Sequence, residues 1–172
     1  LVRAVIAAES ARLEAMAREF AELGRLPEGV SAPVDLHELL DDLMRSTLPI
    51  AMDRQLDVTG ELRPIEGYYD PLRRAFANLL RNAVEACGGH GKVTVSLRRA
   101  ADGALEVLLR DTGPGVPEEK RELIFQPYYT DKGDGTGLGL AIVRQTIEQH
   151  HGTITVANTP GGGATFLIRF AS

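Results

Sequence analysis

The chain has 172 residues, 44% hydrophobic and 25% charged, with a formal charge of −5. That is enough apolar material for one domain with its own core and excludes a wholly disordered chain, while the acidic balance argues against a nucleic-acid partner. One cysteine, Cys87, excludes an internal disulfide, suits a reducing compartment and reads as a small buried hydrophobe.

No apolar run of about 18 residues is present to cross a bilayer, and no leader opens the chain. The chain begins at Leu1 without a methionine and reads as a soluble, cytoplasmic piece of a longer protein whose membrane attachment is left open.

In chain order, residues 1–24 contain no proline, and Ile6, Glu9, Leu13, Met16, Phe20 and Leu23 recur at spacings of three and four. This predicts a long helix with a heptad-like seam, interrupted once by Glu9, that packs on another helix of this chain or of a partner. Gly24, Pro27 and Gly29 end it, and RLPEGVSAP reads as a connector. A second helix is expected over 35–52, opened by Asp35 with Glu38 three places on in the manner of a capping box.

Short strands are expected near 55–60 and 65–69, then a third helix with Pro71 at an early position, running to Cys87 and stopped by GGHG. KVTVSLRRA and ALEVLLRD alternate around the turn ADG, which predicts a hairpin over 92–111. A Gly/Pro-rich stretch follows, then a helix over about 137–151, then a second hairpin from GTITVANT and GATFLIRFA. Helices alternating with antiparallel hairpins imply an α+β sandwich, one sheet covered on one face by helices.

Chemistry-bearing residues gather on the third helix and around two glycine clusters. At about 100° per residue, Asn78, Asn82 and Glu85 share one helix face, with Leu72, Phe76, Leu79, Ala83 and Cys87 opposite. An amide oxygen and a carboxylate suit Mg²⁺ shared with phosphate oxygens; the same face also fits an ordinary solvated surface.

In LLRDTGPGVP, Asp111 ends a strand and Gly113 and Gly115 follow, so its carboxylate sits where the backbone leaves the sheet. It can accept from an amino group such as that of adenine, or simply cap the turn. In DKGDGTGLGLAIV, Gly135, Gly137 and Gly139 open a helix whose N-terminal amides form an anion site. Thr136 adds a hydroxyl donor, and Lys132 a charge that neutralises a terminal phosphate. Neither a Walker Gly-Lys-Ser/Thr nor a G-x-G-x-x-G fingerprint follows.

In this order across residues 70–170, NLLRNAVEA, DTGPGVP, IFQPYYT, GDGTGLGLAIV and GGGATF resemble the boxes of the ATP-binding catalytic domain of sensor histidine kinases. They look like its asparagine box, first glycine box, phenylalanine box, second glycine box and last glycine-rich segment. The resemblance implies the Bergerat ATP-binding fold shared with Hsp90, type II topoisomerases and MutL: a two-layer α/β sandwich whose mixed, mainly antiparallel sheet carries helices on one face, here preceded by a long N-terminal helix.

It implies ATP and Mg²⁺ as ligands, Asn82 as the Mg²⁺ ligand and Asn78 as its neighbour facing the phosphates. Asp111 would bind the adenine amino group with support from Thr165, and Gly113 and Gly115 would line the pocket. Phe125 would anchor a lid between the two glycine boxes. Lys132, Gly137, Leu138 and Gly139 would attend the phosphates, with Asn78 and Lys132 as the catalytic pair. Glu85 stands where many sensor kinases carry a basic residue, which resembles the nitrogen-regulation branch and leaves its role open.

Residues 1–24 resemble the second helix of the dimerisation and phosphoacceptor region and 25–34 its linker, with the catalytic domain over 35–172. No H-E-[IL]-[KR]-N-P phosphoacceptor motif occurs; His37, His90, His150 and His151 read as structural or exposed, and no metal-ligand spacing of Cys and His is present. The implied function is transfer of the γ-phosphate of Mg-ATP to a histidine on a helix absent from this chain, for relay to a response regulator, in a homodimer formed through the N-terminal helix. Two rivals stand beside it. One is an ATPase or chaperone-like member of the same superfamily, which calls for a catalytic glutamate where Asn78 stands. The other is a non-catalytic dimerisation module with a vestigial pocket.

Overall fold

The computed structural model describes residues 2–131 and 135–171. Helix α1 (Val2–Glu22) forms from the alanine-rich, proline-free opening. Most of its seam stays open to solvent: Ile6 is 60%, Leu13 64% and Phe20 58% exposed. Strand β1 (Ala32–Val34) lies inside the expected connector and pairs antiparallel with β3 (Ile65–Gly67), Val34 opposite Ile65. Three residues carry no readable alternation, so this strand had no sequence signal of its own.

Helix α2 (Leu36–Thr47) is capped by Asp35, whose Oδ1 accepts from the His37 and Glu38 amides at 2.9 and 3.2 Å, an arrangement worth about 1 kcal/mol. It stops at Thr47 rather than 52, because Leu48 is extended ahead of Pro49. Strand β2 (Met52–Thr59) follows, then helix α3 (Tyr69–Ala86), which starts before Pro71 and keeps that proline in its first turn, where a missing N–H costs nothing.

Strands β4 (Gly91–Arg99) and β5 (Leu105–Asp111) form the expected hairpin. Two single 3-10 turns, Glu118–Lys120 and Leu123–Phe125, lead to helix α4 (Gly139–Gln149) and the closing hairpin of β6 (Gly152–Asn158) and β7 (Ala164–Phe170). The five-stranded sheet runs β2-β4-β5-β7-β6, antiparallel except for the parallel pair β2 and β4.

Alternate residues Val93, Val95 and Leu97 on β4 and Val107 and Leu109 on β5 face the core, where α3 contributes Leu72, Phe76, Leu79 and Leu80. Each of these large side chains contributes about 1.5–3 kcal/mol by leaving water. The result is the α+β sandwich, with a mixed sheet and a long N-terminal helix. Cys87 is only partly buried at the core's edge, its Sγ 3.8 Å from Thr112 Oγ1.

The end of α1 and the connector are fastened to the helical layer. Glu22 pairs with Arg74 at 3.6 Å, the Gly24 amide donates to Gln145 Oε1 at 2.9 Å, and Gln149 Nε2 donates to the Arg25 carbonyl at 3.0 Å. Among the described residues no helix is long and apolar enough to cross a membrane.

Candidate functional site

Strand β5 ends on Asp111, an inward position that places a carboxylate at the core's edge, only 5% exposed. Its Oδ1 accepts from the Gly113 amide at 2.9 Å and the Ala164 amide at 3.2 Å. The second oxygen takes no hydrogen bond from any described residue, and the side chain lines a cleft of about 400 Å³. Gly163 makes the second of these contacts possible. At φ 92°, a Cβ there would stand 1.9 Å from the Asp111 carbonyl oxygen, so only glycine lets β7 start close enough for the Ala164 amide to reach the carboxylate.

Helix α3 forms one wall of the cleft with Asn78, Arg81, Asn82 and Glu85, a spacing that stacks them on one helical face. The Asn78 carboxamide is engaged at both ends: Nδ2 donates to the Gly139 carbonyl at 3.4 Å, and Oδ1 accepts from Arg81 Nη2. Asn82 makes no side-chain hydrogen bond to another described residue. Its oxygen therefore suits a hard divalent cation that keeps waters and shares phosphate oxygens, as Mg²⁺ does. Among the described residues no group of three His, Cys, Asp or Glu side chains forms a metal cage.

Apolar side chains of Val116, Ile124, Leu140 and Phe166 line the cleft beside Asp111. Asp131 also reaches it and is held by Lys120 Nζ at 2.8 Å, a bond that raises the Lys120 ammonium above its ordinary pKa.

The remaining wall comes from the segment between β5 and α4. The Tyr128 amide donates to the Gly137 carbonyl at 2.9 Å, and a Cβ on Gly137, at φ 71°, would lie 2.5 Å from the Tyr128 carbonyl carbon. The glycine lets the chain fold back on itself just before the helix. Gly135, Thr136, Gly137 and Gly139 all line the cleft. Thr136 Oγ1 accepts from the Leu138 amide at 3.3 Å and donates to Glu19 of α1.

Of the residues singled out by sequence, Asn78, Asn82, Asp111, Gly115, Thr136, Gly137 and Gly139 meet around this one cleft. Gly113 sits behind it, closing the turn on Asp111 and packing near Ala86. Leu138 is fully buried, so its side chain roots α4 in the core rather than facing the opening. Phe125 is likewise a core residue, edge-on to Phe166 at 6.3 Å and 4.1 Å beneath the Arg144 guanidinium.

Thr165 is corrected. It sits opposite Arg110 on β7, and with a side-chain period of two it points to the far face of the sheet from Asp111. Its hydroxyl pairs with Thr159 Oγ1 at 2.7 Å, and the support expected of it comes instead from the Ala164 amide. Lys132 lies outside the described residues. Sequence reasoning passed over Arg81, which the same helical arithmetic could have found, and Glu19, which it could not, because 117 positions separate it from Thr136.

A profile of the histidine kinase-, DNA gyrase B-, and HSP90-like ATPase family matches residues 67–172. The sensor histidine kinase ZraS of Klebsiella oxytoca is 38% identical over 168 residues, which cover 95% of this chain and 36% of ZraS. The chain thus spans about a third of the length of these curated relatives.

Among solved structures, full-length ShkA in complex with AMPPNP has a TM-score of 0.77 at 30% identity, covering 90% of this chain and 34% of ShkA. Histidine kinase ThkA in complex with response regulator protein TrrA has a TM-score of 0.76 at 27% identity, covering 96% of this chain and 49% of that one. Family profile, relatives and fold agree with one another, and the chain belongs to the histidine kinase-, DNA gyrase B- and HSP90-like ATPases, as an ATP-binding catalytic domain of the sensor histidine kinase type.

Proposed function

We propose that this domain holds Mg-ATP between α3, Asp111 and the Gly135 to Gly139 loop, and presents the γ-phosphate to a histidine on another helix of the parent protein. One observation carries this reading: Asp111 is buried, one oxygen is pinned by two backbone amides, and the other is left to the cleft. A carboxylate so held accepts a hydrogen bond with little reorganisation, and the exocyclic amine of adenine supplies the donor. Val116, Ile124 and Phe166 give the flat base an apolar wall.

The phosphates extend toward the start of α4, where backbone amides and the helix dipole favour an anion. Asn82 offers its oxygen to Mg²⁺, which when bound neutralises phosphate charge. In the transfer, a ring nitrogen of the acceptor histidine bonds to the γ-phosphorus, the bond to the bridging oxygen breaks, and ADP leaves. The domain's share of that reaction is positioning and charge balance.

Within the parent, 1–24 serves as the second helix of the dimerisation region, 25–34 as a connector and 35–172 as the catalytic domain, in the cytoplasm. The exposed seam of α1 supports a homodimer through that helix. Capture of a response regulator in the ThkA complex supports relay of the phosphoryl group to such a partner.

Incubation with γ-labelled ATP tests the reading. The chain alone should stay unlabelled, and adding the parent's phosphoacceptor helix should produce acid-labile label on that helix. Stable label on this chain alone, or no shift in melting temperature with saturating ATP, would overturn it.

A further inference from the structure

We infer that Arg81 is a phosphate-binding residue of the nucleotide site and that Asn78 acts through it, as a positioning residue rather than a ligand. The inference rests on the nucleotide reading above and assigns a role to a side chain that reading leaves unused.

Charge comes first. The cleft is lined by four carboxylates, Glu19, Glu85, Asp111 and Asp131, and among the described residues Arg81 is the one cationic side chain facing it. Asp131 is already paired with Lys120. A triphosphate entering such a wall needs positive charge close at hand, and a guanidinium offers five N–H donors in a planar fork that matches phosphate oxygens.

Geometry comes second. Arg81 is solvent-exposed and makes no salt bridge with a described carboxylate, yet it is not loose, because Nη2 donates to Asn78 Oδ1. Asn78 in turn donates through Nδ2 to the carbonyl of Gly139, the first residue of α4. The carboxamide therefore bridges the two helices that flank the phosphate end of the cleft and holds the guanidinium beside the loop of Gly135 to Gly139. With both ends of its amide occupied, Asn78 has little left to offer a metal or a phosphate directly. Asn82, one residue beyond Arg81, makes no side-chain hydrogen bond to another described residue. The helix thus divides the labour: Asn82 for the cation, Arg81 for the anion, Asn78 for alignment.

The test is calorimetric titration of this chain with ATP in Mg²⁺ and, separately, with adenosine, which shares the base and carries no phosphate. Arg81→Met should weaken ATP binding by about tenfold or more and leave adenosine binding unchanged. Arg81→Lys should recover part of the loss, since it restores charge without the fork. Asn78→Ala should weaken ATP less, and in the Arg81→Met background it should add almost nothing, the signature of two residues acting as one unit.

Melting temperatures within a degree or two of the parent chain confirm that the exposed Arg81 variants are folded; if Arg81→Met falls outside that range, the Arg81→Lys result decides. Equal ATP affinity in parent and Arg81→Met, or a matching loss for adenosine, overturns the role of Arg81 while the nucleotide site stands. Failure of the parent chain to bind either ligand overturns both.

Discussion

The Thr136 hydroxyl donates a hydrogen bond to Glu19, so a helix outside the family-matched residues 67–172 sets a carboxylate into the wall of the cleft around Asp111. Beside it, Phe20 of the same helix stacks on Tyr128 with ring centroids 6.5 Å apart. Glu19→Gln keeps an acceptor for Thr136 and removes the negative charge. ATP affinity should rise by about two- to fivefold at low salt, and the gain should fade as salt screens the charge. Calorimetry at two ionic strengths measures both effects, and an unchanged low-salt affinity would count against a charge effect of Glu19 on the phosphates.

Asp111→Asn preserves the oxygen that accepts from Gly113 and Ala164 and turns the other atom into a donor facing the adenine amine. ATP binding should weaken by about 1–3 kcal/mol with little change in melting temperature. Unaltered affinity would remove Asp111 from base recognition.

Chelation of Mg²⁺ with EDTA should weaken ATP binding to the parent chain. In Asn82→Ala the affinities with and without Mg²⁺ should converge, because the oxygen offered to the cation is gone. A full Mg²⁺ dependence in that variant would place the metal elsewhere.

Gly162 and Gly163 share positive φ but differ in surroundings: a Cβ on Gly162 meets nothing within 4 Å, whereas one on Gly163 lies 1.9 Å from the Asp111 carbonyl oxygen. Gly162→Ala should cost about 1 kcal/mol of stability, from backbone strain alone. Gly163→Ala should cost about 3 kcal/mol or more and weaken ATP binding in whatever folded protein remains. Urea unfolding of the two variants side by side separates strain from collision.

His150 is buried at the end of α4, its Nε2 accepting from the Tyr68 amide at 3.0 Å and its Nδ1 bonded to the Thr146 carbonyl at 2.7 Å. Both contacts are satisfied together only by the neutral ring with its proton on Nδ1. Burial pushes its pKa below the ordinary 6.5, against the opposing effect of the Thr146 carbonyl. The unfolded chain therefore takes up a proton first, so this contribution to stability is whole above pH 6.5 and is lost as pH falls through the lowered folded value. Unfolding free energies measured from pH 8 to 5 should decline, and His150→Gln should flatten that decline.

How much of this was legible follows from what each signal depends on. Asp35 could be read as a helix cap because the Asx cap is local chemistry, and it caps α2. The two hairpins and the shared face of Asn78 and Asn82 follow from period alone. The far end of α2 was misjudged because the amphipathic pattern runs past Leu48, while the proline behind it decides the backbone. Thr165 was misplaced by one residue of strand register, which is enough to reverse its face and hand its task to a main-chain amide. The contact of Glu19 with Thr136 had no local signal, since it exists only after α1 docks.

Strand β2 runs parallel to its neighbour β4, so the chain must cross back over the sheet between them, and β3 and α3 make that crossing. The helix that bears Asn78, Arg81 and Asn82 is therefore held between β3 of the two-stranded sheet and β4 of the five-stranded one, like the fixed jaw of a vice. The opposite jaw, between β5 and α4, is rooted by the Phe125 ring and the Tyr128 to Gly137 bond. Ligands of different bulk should therefore meet, on the first jaw, one unvarying set of teeth for the charge they carry.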